Sequence, residues 1–99
     1  MIAAFSVSPS GPVEVGPAVA EAVRLVRESG LPNETNAMFT NVEGEWDEVM
    51  TLIKLCVLRL AEESPRISVL IKVDYRPGVT GALREKVETI ERLLADSRE

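Results

Sequence analysis

Hydrophobic positions along this chain change period at proline and glycine boundaries, and each period predicts an element. From Ile2 to Pro9, Ala3, Phe5 and Val7 alternate with Ala4, Ser6 and Ser8, the period of a strand. Pro9, Gly11 and Pro12 end it. Gly16-Pro17 opens a helix, with Pro17 suited to its first turn. Val19, Ala22, Val23 and Val26 form its apolar stripe, and Glu21, Arg24, Arg27 and Glu28 face water. Gly30 and Pro32 close it. Asn33 to Gly44 is β-branched and alternating, long enough for two short strands that reverse near Phe39 to Asn41. Helical spacing returns over Glu45 to Glu62 in Trp46, Val49, Met50, Ile53, Cys56, Val57 and Leu60. Asp47 and Glu48 sit where the helix dipole favours acids. After Ser64-Pro65, Arg66 to Asp74 is a strand, with Val69, Ile71 and Val73 on one face and Ser68, Leu70, Lys72 and Asp74 on the other. Pro77-Gly78 ends it. A final helix, Gly81 to Ala95, carries Leu83, Val87, Ile90 and Leu94. All six prolines fall at element boundaries, which supports the segmentation.

The order is β-α-β-β-α-β plus a terminal helix. It predicts an α+β, ferredoxin-like single domain over residues 1–99, with an antiparallel sheet and helices on one face. The second face then carries Ile2, Ala4, Ser6 and Ser8 beside Ser68, Leu70, Lys72 and Asp74. If Thr35, Ala37 and Phe39 point to the helices, Asn36, Met38 and Thr40 join it. That mixture is too apolar for a solvated sheet and too polar for a core. Such a face packs against another subunit, with a polar pocket at or near the join.

Composition narrows the chemistry. The 99 residues suffice for one core that buries roughly 60–70% of the unfolded surface. Eleven basic and sixteen acidic residues give a net charge of −5, which repels phosphate backbones and argues against nucleic acid. Cys56 is the only cysteine and histidine is absent. Within one chain this excludes disulfides, Cys/His zinc sites, and Ser–His or Cys–His nucleophiles. The N-terminus lacks the basic region of a signal peptide, and no apolar run approaches about 18 residues. A cytoplasmic location without membrane insertion is expected, and the sequon Asn33-Glu34-Thr35 should be inert.

Several residues have both a plain and a chemical reading. Ser6 and Ser8 are solvated strand hydroxyls or donors to a ligand. Asn36 is a turn residue or an amide that reads a heteroaromatic edge. Met38 is packing or a thioether laid on a ring. Trp46 is expected to pack its helix on the sheet, and Cys56 to be a small buried side chain. Glu43 or Asp74 could hold a cation. Glu43, Glu45, Asp47 and Glu48 lack the spacing of a calcium loop, so no metal is expected. An RNA-binding domain of this topology needs basic charge and stacked aromatics, and a monooxygenase needs a base that this chain does not offer. A small-molecule binder, a regulatory metabolite domain and a structural oligomerisation module remain.

Three stretches sharpen the choice: AFSVSPSG at the N-terminus, NETNAMFTNVEGEWDEVM in the centre and IKVDYRPG in the last strand. In order and spacing they resemble the YkoF-like thiamine-binding proteins over nearly the whole chain. The resemblance implies non-catalytic binding of thiamine or its hydroxymethylpyrimidine moiety, with no other cofactor, in a homodimer or homotetramer joined through the sheets. It places Asn36, Met38 and Thr40 at the pocket, with Ser6 and Ser8 beside them. Thiamine combines a flat aminopyrimidine with a permanent thiazolium charge. Asn36, Ser6, Ser8 and Thr40 suit the pyrimidine edge. Met38, with Phe39 or Trp46, suits its face. Glu43, Asp74 and the net negative charge suit the cation, whose burial without a partner is costly. Phe39 stands where many relatives carry glycine, and Ala37 where they carry proline.

Overall fold

Alternation in the first strand sorts the whole sheet into two faces. The computed structural model describes residues 1–11 and 15–96. Its elements are β1 (Ile2–Pro9), α1 (Val15–Glu28), β2 (Asn33–Thr35), β3 (Thr40–Glu43), α2 (Trp46–Ala61), β4 (Ile67–Asp74) and α3 (Ala82–Asp96). The strands form one antiparallel sheet in the order β2-β3-β1-β4, the ferredoxin-like arrangement, with α3 appended.

Ala3, Phe5 and Val7 are buried and lie opposite Val73, Ile71 and Val69 of β4. Across β3, Ala3 and Phe5 meet Val42 and Thr40. α1 and α2 cover this face with Ala22 and Val26, and with Val49, Leu52, Ile53, Cys56 and Leu60. Each large side chain buried there contributes about 1.5–3 kcal/mol. Leu52 belongs to this stripe although the helical spacing read from the sequence omits it. The Cys56 thiol lies 3.7 Å from the Ala22 carbonyl oxygen, and burial pushes it up to about 11. Gly30, at φ +77°, takes the left-handed conformation that ends α1. The Glu48 carboxylate accepts the Glu45 backbone N–H at 3.0 Å and fixes the start of α2.

Trp46 departs from expectation. It stays half exposed one turn before Val49, where the buried stripe starts, and meets Tyr75 edge-on at 6.2 Å between ring centroids. The hairpin departs as well. It reverses over Asn36 to Phe39, earlier than the predicted Phe39 to Asn41. Asn36 N–H donates to the Phe39 carbonyl at 3.0 Å, and Asn36 Oδ1 accepts the Met38 and Phe39 N–H groups, each at 2.9 Å. One asparagine thus closes the turn by bonding its own backbone, as short polar side chains do.

α1 and α2 share the covered face, but α3 lies against the other. Glu43 Oε2 accepts the Ala82 N–H at 2.9 Å, and Lys86 pairs with Asp74. Beyond these contacts α3 leaves the body of the protein, and Ile90 and Leu93 are exposed along it. The chain is therefore elongated, 53 × 30 × 20 Å, with a radius of gyration of 15.4 Å. A compact chain of this length has about 13 Å.

Candidate functional site

The open face of the sheet presents Ile2, Ala4, Ser6 and Ser8 from β1, and Ser68, Leu70, Lys72 and Asp74 from β4, as the alternation predicts. From β3 it takes Asn41 and Glu43, which lie opposite Ala4 and Ile2. Thr40 is on the covered face instead, buried opposite Phe5 and Thr35, with the two threonine hydroxyls 3.5 Å apart. The expected placement carried strand alternation through the hairpin. A turn of four residues returns the chain to the same face, so Thr35 and Thr40 point together. Asn36 and Met38 belong to that turn and to neither strand.

Where α3 crosses the open face it overhangs an open cavity of about 320 Å³. Ile2 and Ala4 form its floor, and Leu83 and Val87 of α3 its roof. Glu34, Asn36 and Asn41 line one side; Lys72, Asp74 and Lys86 line the other. Two carboxylates, two ammonium groups and two side-chain amides therefore converge on an apolar bed. The Lys86 ammonium beside Asp74 holds that carboxyl below its ordinary 3.8, with Arg76 adding to the effect. The turn's own bonds use Asn36 Oδ1, which leaves the Nδ2 donor outside them.

A second cleft, of about 150 Å³, lies between α1 and the hairpin. It gathers Ser6, Asn36, Met38 and Thr40 with Val19 and Val23. It is smaller than the roughly 300–1,000 Å³ of common ligand sites. Met38 is 74% exposed at its mouth. Of the expected site residues, Asn36 borders both spaces, Asp74 only the larger, and Ser8 neither. Glu43 is 5% exposed, and its carboxylate is engaged by the first N–H of α3, so it anchors that helix. Asn41, Glu34 and Lys86 were not singled out by the sequence. Asn41 follows from the alternation once the turn is placed at Asn36. Lys86 reaches the site only because α3 folds back.

Other spaces hold little of the expected set. A groove of about 430 Å³ runs past Leu31, Pro32, Gly44 and Val79 beside Glu43. Another, of about 320 Å³, lies beside Pro17, Leu60 and the Glu21–Arg59 ion pair. Among the described residues, no three His, Cys, Asp or Glu side chains are placed to share a metal ion. No described helix is long and apolar enough to cross a membrane.

The relatives of this chain follow from the same elements. A UPF0045 protein of Mycobacterium bovis is 54% identical over 96 residues, covering 95% of this chain and 94% of that protein. The crystal structure of a hypothetical protein from Methanocaldococcus jannaschii superposes with a TM-score of 0.82 at 27% identity, covering 91% of this chain and 94% of that one. A Thermotoga maritima protein, whose proposed role is thiamine biosynthesis or salvage, shares the fold with a TM-score of 0.78 at 24% identity, covering 90% and 96%. The sequence profile of the thiamine-binding proteins matches residues 3–91, which take in β2, β3 and β4, all of β1 but Ile2, and most of α3. The chain belongs to the thiamine-binding protein family.

Proposed function

We propose that this chain binds thiamine, or its hydroxymethylpyrimidine part, without catalysis, in the cavity between the open sheet face and α3. One observation carries the reading: two amides and Glu34 lie across an apolar floor from Asp74 and its two lysine neighbours, in a space of about 320 Å³. Asn36 Nδ2 and the Asn41 amide suit the donor and acceptor pattern of an aminopyrimidine edge. Ile2, Ala4 and Val87 suit its flat face. Asp74 and Glu34 supply the negative potential that a thiazolium needs. Ser6 is the next open-face residue along β1 after Ala4 and borders the smaller cleft instead. Family membership supports the ligand class. The absence of histidine supports a carrier, sensor or salvage accessory over an enzyme. A cytoplasmic protein fits this role.

The same reading includes a homo-oligomer. Leu70 is 59% exposed on the open face, and Ile90 and Leu93 are exposed along α3. A second copy laid sheet to sheet, as a homodimer or within a homotetramer, would cover them and shield the cavity.

Calorimetric titration with thiamine, and in parallel with hydroxymethylpyrimidine, tests the binding. Saturable heat and a raised melting temperature are expected with at least one. Silence in both measurements for both ligands would end the reading. The exposed apolar residues also favour a second reading, a purely structural oligomerisation module. A crystal structure with the cavity filled by the partner's side chains would decide for that alternative.

A further inference from the structure

We infer that Lys86 is a tethered competitor for the cationic part of the ligand, and so sets the preference between charged and neutral ligands. The inference rests on the binding role proposed above and concerns the same cavity. Lys86 sits one turn into α3, and its ammonium pairs with Asp74 Oδ2 at the cavity wall. Glu34 and Asp74 are balanced there by Lys72 and Lys86. The two ammonium groups offset the two carboxylates and weaken their pull on a cation.

A cationic ligand gains Asp74 only by displacing Lys86. A neutral pyrimidine needs no such exchange. The displacement is feasible because the two side chains remain 51% and 43% exposed. Nor need α3 come away, since Ala82 N–H is held independently by Glu43. Lys86 thus occupies the place a thiazolium would take, and releases it into water when one arrives.

The test compares wild type, Lys86→Gln, Asp74→Asn and the double variant by calorimetry. The probes are thiamine, hydroxymethylpyrimidine and a simple N-alkylthiazolium salt. Lys86→Gln should bind thiamine and the thiazolium salt about fivefold more tightly, the scale of one partly exposed charge pair. Hydroxymethylpyrimidine should change by less than about twofold. The gain should vanish in the double variant and shrink in about 0.5 M salt. Equal gains for charged and neutral ligands would mean that Lys86 only fills space or holds α3, and would overturn the inference. So would binding of both ligands with unchanged preference, while leaving the binding role standing. If no protein bound any probe, the binding role and this inference would fall together.

Discussion

The two faces of one sheet use the same strands and come out differently. On the covered face, Ala3, Phe5 and Val42 vanish beneath α1 and α2. On the open face, Ala4, Ser6 and Asn41, one residue along the same strands, remain half-buried. The covered face is apolar and satisfied within the chain. The open face mixes charges, amides and aliphatics, and among the described residues only the first turns of α3 lie over it. Folding energy is therefore concentrated on one side, and the other side is free to specialise in recognition.

Substitutions matched across the sheet test this division. Phe5→Ala should cost about 3–5 kcal/mol, because Phe5 is 2% exposed in the core. Leu70→Ala should cost less than about 0.5 kcal/mol in the monomer. Urea unfolding measures both. If the open face is an oligomer interface, the Leu70→Ala effect will grow with protein concentration. Equal, concentration-independent costs would erase the contrast between the faces.

Glu43→Ala probes the hinge between open face and helix. Removing the acceptor of a buried N–H should cost about 1–3 kcal/mol. Hydrogen exchange should locate the loss at the first turn of α3, with β1 and α2 unchanged. Asn36 separates turn from ligand. Asn36→Ala removes the acceptor of two backbone N–H groups and should lower stability by about 0.5–1.5 kcal/mol. Asn36→Asp keeps an acceptor and should restore most of that stability. Both should weaken binding of the neutral hydroxymethylpyrimidine if the Nδ2 donor reads the ligand.

The smallest effect concerns pH. Lys86 lowers the carboxyl of Asp74 below its ordinary 3.8. The folded protein therefore holds this group ionised more strongly than the unfolded chain does. The resulting stability is fully present above about pH 4 and is lost as pH falls through the lower folded value. Melting temperature between pH 5 and pH 2.5 should fall less steeply in Lys86→Gln than in wild type. Identical slopes would mean that the pair adds nothing measurable.

Strands and helices were legible in the sequence because burial imposes a period, and Ala3, Phe5, Val7 and Val49 through Leu60 follow it. The faces of β1 and β4 were legible for the same reason. The face of β3 was not. Its assignment depends on where the turn closes, and the Asn36 side chain closes it four residues before β3 begins pairing. Glu43 reads as an acid at a strand end. Its partner lies 39 residues further on, so only the folded chain reveals an anchor. Asp74 and Lys86 are likewise joined by tertiary structure, across the loop between β4 and α3.

The reach of α3 beyond the sheet has a practical side. A chain that is 53 Å long and 20 Å thick sweeps out more volume as it tumbles than a sphere of its mass. In gel filtration it will leave the column early and imitate a larger particle. An apparent dimer by elution is therefore compatible with one copy. Light scattering reads mass without assuming shape, and it is the measurement that counts the copies in solution.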